Sequence, residues 1–234
     1  MLPVSHPDKL SRRPILCYVT DRKGLASAED NRIEALLERV AIASAAGVDW
    51  IQIREKDLSG KELSSLTRSA VAQTEQANEG IERTRILVND RLDVAYSGCA
   101  DGVHFGERSL PIKDVRKWLD EKPDLARRYK FLVGVSCHSV QAAAAAARDG
   151  ADYIFFGPVF ATPSKAQFGA PQGLQRLAEV CSSVTVPVLA IGGITGDSAF
   201  ECLAAGAAGV AAIRLFQDAK NLSSLVTGLR AGTR

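Results

Sequence analysis

The sequence predicts an α/β fold of one domain, a parallel (β/α)8 (TIM) barrel. Three observations carry this expectation. Eight short β-rich runs alternate with longer helical stretches along the chain. Several of the runs are continuously apolar, as strands covered on both faces are. The helical stretches close on glycine just before the next run, so one βα unit recurs. The length of 234 residues and the hydrophobic fraction of 46% suffice for one sizeable core.

The elements follow in order. The first run is ILCYVT (15–20), and NRIEALLERVAIASAAG (31–47) reads as its helix. DWIQIR (49–54) is the second run, followed by GKELSSLTRSAVAQTEQANEG (60–80). RILVN (85–89) is the third, and RLDVAYSGCA (91–100) after it holds a short helix at best. DGVHF (101–105) and FLVGVS (131–136) are the fourth and fifth; SVQAAAAAARDG (139–150) is an Ala-rich helix after the fifth. DYIFFG (152–157), PVLAIG (187–192) and AGVAAIR (208–214) complete the set, with DSAFECLAAG (197–206) between the last two. Gly47, Gly80, Gly150 and Gly206 stand where helix C-caps belong. Eight strands in this length favour a closed barrel over an open doubly wound sheet. No G-x-G-x-x-G follows the first strand, which weakens the dinucleotide-binding form of the open sheet. The expected organisation is a flexible N-terminal segment, 1–13, and a barrel domain, 14–234.

Composition narrows the partners. Lys and Arg total 29 and Asp and Glu 27, and the net charge of +2 makes no case for nucleic acid or a membrane surface. The five cysteines, Cys17, Cys99, Cys137, Cys181 and Cys202, are scattered without a C-x-x-C pair. Neither a zinc site nor a disulfide framework is suggested, and reduced thiols in a cytoplasmic protein are expected. MLPVSHPDKLSRRP lacks the apolar run of a signal peptide, and no apolar stretch reaches membrane-spanning length. A homo-oligomer is compatible with the sequence, which does not specify one.

In such a barrel, chemistry collects where strands end and βα loops begin. In Q-I-R-E-K-D (52–57), alternation puts Gln52, Arg54 and Lys56 on one side. If that side faces the lumen, two cations and an amide suit a phosphate or diphosphate. The third strand ends in Asn89, a hydrogen-bonding group, and Asp90, which suits a hard cation such as Mg²⁺. The plainer alternative for both is a helix N-cap. His104 in the fourth strand suits a core or orienting role. After the fifth strand, Ser136 can donate to a phosphate or substrate oxygen, Ser139 can cap the Ala-rich helix, and His138 suits proton transfer. The long loop after the sixth strand, 157–173, has the length of a mobile lid and carries Thr162, Ser164 and Lys165. Gly192 and Gly193 let backbone N–H groups approach a phosphate, and Ile213–Arg214 closes the eighth strand beside them.

These motifs together resemble a known family. They are Y-V-T-D, Q-I-R-E-K, N-D-R-x-D-V-A, A-D-G-V-H-x-G, G-V-S-x-H-S, G-A-D-Y-I-F-F-G-P-V-F-x-T-x-S-K, P-V-L-A-I-G-G-I-T and A-G-A-A-G-V-A. In this order, from about residue 14 to 217, they resemble the thiamine phosphate synthase/TenI superfamily. The resemblance implies the synthase reaction, in which 4-amino-2-methyl-5-hydroxymethylpyrimidine diphosphate joins a thiazole phosphate to give thiamine phosphate and pyrophosphate. It implies Mg²⁺ as cofactor, with Asp90 a ligand. It implies that Gln52, Arg54, Lys56, Asn89 and Lys165 hold the pyrimidine diphosphate, and that Ser136 lies near the reacting centre. Thr162, Ser164, Gly193 and the backbone at Ile213 and Arg214 would hold the thiazole phosphate. The candidate catalytic residues are therefore Ser136, His138 and Lys165.

The sequence departs from the synthase pattern in three places. Where the family has H-x-G-Q-x-D, this chain has H-F-G-E-R-S, so Ser109 stands at the position of the second Mg²⁺ ligand. A hydroxyl is a poorer ligand than a carboxylate, and Glu107 is a nearby substitute. Arg214 stands where synthases carry Ser, and Ser164 where they carry Thr. These departures bring in the TenI branch, a metal-independent thiazole tautomerase with a His at the place of His138. A non-catalytic ligand-binding barrel is the third reading. The intact Q-I-R-E-K and N-D-R put the synthase first.

Overall fold

The strands of this protein pair in chain order and the last returns to the first, closing a parallel barrel. The computed structural model describes residues 13–26, 28–76, 83–122, 131–162 and 170–232. The strands are β1 (Ile15–Val19), β2 (Trp50–Ile53), β3 (Arg85–Asn89), β4 (Gly102–Phe105), β5 (Leu132–Cys137), β6 (Tyr153–Phe156), β7 (Val188–Ile191) and β8 (Gly209–Ala212). Each lies within or beside an expected run. The eighth run is the most shortened: the strand stops at Ala212, and Arg214 opens a short helix rather than ending the strand. The helices among the described residues are α1 (Arg32–Ala45), α2 (Gly60–Gln76), α3 (Leu92–Ser97), α4 (Ile112–Asp120), α5 (Val140–Arg148), α6 (Gly173–Ser183), α7 (Gly196–Ala204), α8 (Arg214–Gln217) and α9 (Leu222–Ala231). The thin link expected after the third strand is α3, a single short helix. Gly47, Gly150 and Gly206 adopt positive φ after α1, α5 and α7, as expected of glycine at a helix end. Gly80 lies outside the described residues.

Period-two alternation divides the strand residues between two cores. Residues such as Leu16, Tyr18, Ile51, Ile53, Val88 and Val103 face the helices. Cys17, Val19, Leu87, Leu132, Tyr153, Phe155, Leu189 and Ala211 fill the lumen. The barrel is thus packed at its waist, and side chains beyond this plug reach its C-terminal mouth.

The opposite end is tied by a device used three times. Asp49, Asp101 and Asp152 each stand one residue before an even-numbered strand. Each accepts a backbone N–H from the preceding odd strand, of Leu16, Ile86 and Val133 respectively, at 2.8 Å. Each also pairs with an arginine, Arg13, Arg83 or Arg116. Of the expected flexible segment 1–13, only Arg13 is described, and it is held by Asp49. Among the described residues no helix is long and apolar enough to cross a membrane.

Candidate active site

The register places the first cluster. Gln52 pairs with Val19, a lumen residue, so Gln52 and Arg54 point inward and upward. Gln52 is buried, and its Nε2 donates to Asn89 Oδ1 at 2.9 Å across β2 and β3. Arg54 is half-buried. Lys56 is exposed at the rim, where a cavity of about 280 Å³ is lined by Lys56, Asn89, Asp90 and Arg91 among others. Gln52 thus meets Asn89 at the lumen edge below Arg54, while Lys56 joins Asn89 and Asp90 at a cavity that Glu55, Leu58 and Leu63 also line.

Glu55, between Arg54 and Lys56, turns away from the lumen and is buried. It accepts from Thr20 Oγ1 at 2.6 Å and from the Arg22 guanidinium at 3.0 Å. Thr20 Oγ1 in turn accepts the Arg54 N–H at 2.9 Å. Arg22 also clasps Asp57, whose carboxyl it holds well below the usual carboxylate range. These contacts join the loops after β1 and β2 and set the backbone from which Arg54 projects. The sequence reading passed over Thr20, Arg22 and Glu55; their only signal was a carboxylate on the outer face of a buried strand.

Asp90 adopts φ 63°, a left-handed conformation that Asp tolerates better than most residues. Its N–H donates to the His104 carbonyl at 2.8 Å. Its Oδ1 accepts from the Ser109 hydroxyl, and Ser109 Oγ accepts the Gly106 N–H at 3.1 Å. The N-cap residue of α3 is Arg91, so the capping alternative for Asn89 and Asp90 is set aside. Glu107 turns toward β5, its Oε2 3.8 Å from His138 Nε2. The His138 Nδ1–H donates to the Gly157 carbonyl, which leaves Nε2 toward Glu107. Ser139 caps α5, accepting the Ala142 N–H at 3.1 Å.

Beneath the mouth lies a buried aromatic floor. His104, Gly134 and Tyr153 are register partners across β4, β5 and β6. A Cβ on Gly134 would lie 2.0 Å from the Tyr153 ring, so glycine lets that ring cross β5 to reach His104. His104 Nδ1 is 3.2 Å from the Tyr153 hydroxyl, and Nε2 is 2.9 Å from Ser136 Oγ. The imidazole packs against Phe155 at a tilt of 33°, with centroids 4.2 Å apart. Burial, reinforced by the Arg54 charge, pushes its pKa down to about 3, so it is neutral at physiological pH. His104 is thus a buried residue of the barrel interior, hydrogen-bonded to Ser136 and Tyr153.

The other side of the mouth is built by backbone. Gly192 and Gly193 have φ 96° and 68°, and a Cβ on Gly193 would lie 2.6 Å from the Ala161 carbonyl. The segment after β6 lies against them, with Phe160 N–H donating to the Gly192 carbonyl at 3.0 Å. Gln172 and Gly173 return to the carbonyls of Pro158 and Val159 at 2.7 and 3.0 Å, so the base of the loop is pinned. Thr195 caps α7 in a reciprocal capping box with Ser198. Ile213 is half-buried at the lumen edge, whereas the Arg214 side chain is exposed. Thr162 is half-buried; Ser164 and Lys165 lie outside the described residues.

Comparison with known proteins accords with this layout. The family model described as thiamine monophosphate synthase (TMP-TENI) matches residues 17–216. The thiamine-phosphate synthase of Methanocella arvoryzae is 42% identical over 83% of this chain and 85% of that protein. That of Methanoculleus marisnigri is 40% identical over 81% of this chain and 83% of that protein. Among solved structures, thiamine phosphate pyrophosphorylase from Pyrococcus furiosus superposes with a TM-score of 0.75 at 30% identity, covering 97% of this chain and 96% of that one. The barrel, the ordered strand-end motifs and these relatives lead to one assignment: the chain belongs to the thiamine monophosphate synthase (TMP-TENI) family.

Proposed function

We propose that this protein is a transferase that joins 4-amino-2-methyl-5-hydroxymethylpyrimidine diphosphate to a thiazole phosphate, giving thiamine phosphate and pyrophosphate. The observation that carries the reading is the convergence of Gln52, Arg54, Asn89 and Ser136 on one lumen mouth, with Lys56 and Asp90 on its rim cavity. A cationic and amide-lined pocket suits the diphosphate. The Gly192–Gly193 turn and the Ile213 backbone, across the mouth, suit the second phosphate. Thr162, Ser164 and Lys165 belong to the same reading.

Mg²⁺ is tested by the donor set. Asp90 presents one carboxylate at the cavity, and its neighbour at the second position is the Ser109 hydroxyl, already hydrogen-bonded to it. Mg²⁺ commonly takes one or two carboxylates and completes its shell with phosphate oxygens and water, so Asp90 with a diphosphate suits it. The ion would neutralise charge on the departing diphosphate. Arg54 and Lys56 add charge to the same end of the substrate, and Gln52 and Asn89 orient it. The carbon–oxygen bond to the diphosphate breaks, the methylene carbon becomes electrophilic, and the thiazole nitrogen bonds to it. The enzyme positions the partners and keeps water from the electrophile; no protein nucleophile takes part. Small-molecule substrates and reduced thiols suit a cytoplasmic enzyme.

His138 favours a second reading. Its Nδ1 is committed to the Gly157 carbonyl and its Nε2 stands near Glu107, an arrangement suited to proton transfer in a thiazole tautomerase. Paired variants separate the two. For the synthase, Arg54→Ala lowers kcat/KM for thiamine phosphate formation roughly 100-fold, by loss of one charged donor, while His138→Ala changes it only a few-fold. The opposite ranking, with thiazole tautomer conversion abolished in His138→Ala, would establish the tautomerase instead.

A further inference from the structure

The mechanism above makes no use of the buried imidazole of His104 or the phenol of Tyr153, yet both are tied to Ser136. A neutral imidazole has one donor and one acceptor nitrogen, so the chain Tyr153–His104–Ser136 runs in one of two directions. Tyr153 decides which. Its side chain is fully buried among Trp50, Phe155 and the His104 ring, at centroid distances of 4.7, 5.3 and 5.5 Å. Its hydroxyl bonds to His104 Nδ1. If Nδ1 carried the proton, the phenol would only accept, and its own proton would be buried without an acceptor among the described residues. The phenol therefore donates to Nδ1, the imidazole proton sits on Nε2, and Nε2–H donates to Ser136 Oγ. A doubly protonated ring would also donate from Nδ1 and leave the same phenol proton without an acceptor. With a lone pair occupied by Nε2–H, Ser136 turns its own proton elsewhere. The residue is half-buried and stands above Gly134, on the side of the mouth.

We propose that Tyr153 and His104 are positioning residues that fix the Ser136 hydroxyl as a hydrogen-bond donor to an anionic oxygen of the departing diphosphate. The identity of that oxygen rests on the synthase reading; the direction of the bonds rests on geometry alone. Ser136 is then no nucleophile, because the adjacent nitrogen already carries a proton and cannot accept the hydroxyl's. A donor aimed at charge that builds as the bond breaks acts on kcat more than on KM. Without the Tyr153 phenol the imidazole is free to exchange tautomers, and Ser136 can donate to Nε2 instead of to substrate.

Long-range ¹⁵N–¹H spectra of histidine-labelled protein at neutral pH read the tautomer directly. The chain has three histidines, and the His104 signals are those lost in His104→Gln. The expected result is a neutral ring protonated on Nε2, shifting toward Nδ1 protonation in Tyr153→Phe. In turnover, His104→Gln sets an amide N–H near the place of Nε2–H and keeps kcat within about threefold. His104→Leu and Tyr153→Phe lose roughly 10- to 100-fold in kcat with KM for the pyrimidine diphosphate within about twofold. A proton on Nδ1 in the wild type overturns the proposal. Equal kcat losses in the Gln and Leu variants, both with wild-type circular dichroism, overturn it as well. Absence of thiamine phosphate with the wild type counts against the synthase reading, while the free protein's tautomer still decides the direction of the chain.

Discussion

His104 carries a consequence for pH as well as for geometry. Its pKa falls from 6.5 to about 3 on folding, because burial and the Arg54 charge both oppose the imidazolium. Between these values the unfolded chain binds a proton that the folded chain does not. The contribution is therefore fully present above pH 6.5 and is lost as pH falls toward 3. Between pH 7 and pH 5 this group alone should cost about 2 kcal/mol of stability. Urea unfolding of wild type and His104→Gln at the two pH values checks it. The variant should lose less stability on acidification by about that amount, and parallel losses would show that the imidazole is not held neutral. At this scale the sequence was only partly legible. Gln52 and Arg54 could be put on one side of their strand because alternation is local; the register with Val19 makes that side the lumen. Tyr153 could not be placed, because D-Y-I-F-F-G is apolar on both faces and nothing in it separates lumen from helix side. The bridge from Tyr153 to His104 also depends on Gly134 in a third strand, a relation between strands that no single segment contains.

At the scale of elements, the three aspartates at the N-terminal end couple strand pairs β1–β2, β3–β4 and β5–β6. Asp101 is the most enclosed, with a side chain 4% exposed against 17% for Asp49 and 11% for Asp152. Asp101→Ala removes the acceptor for the buried Ile86 N–H and the carboxylate that pairs with Arg83. A destabilisation of about 3 kcal/mol is expected. Asp49→Ala should cost less, since solvent screens Arg13 and reaches the vacated site. Denaturant midpoints of the two variants test the ranking, and an equal or reversed order would contradict it. The helix–glycine–strand phrases in the sequence revealed the repeat, because propensity and capping are written locally. Its aspartates went unread, because their partners are backbone groups of the preceding strand and arginines 18 to 36 residues away.

At the scale of the molecule, a barrel closed in chain order brings the ends of all eight strands to one mouth, with β2 and β3 opposite β6 and β7. The closed fold was legible because eight runs with a recurring βα period leave few other solutions. The proposed division of the mouth into two anion pockets followed from the strand ends once closure was assumed. What the sequence could not supply was how Ser109 stands to Asp90; their hydrogen bond depends on how the loop after β4 folds back. The central claim is the joining reaction itself. It is tested most directly by incubating the purified wild-type protein with pyrimidine diphosphate, thiazole phosphate and Mg²⁺ and quantifying both products. The account predicts thiamine phosphate and pyrophosphate in equal amounts; no thiamine phosphate, under conditions where a Ser109→Asp variant forms it, would contradict it.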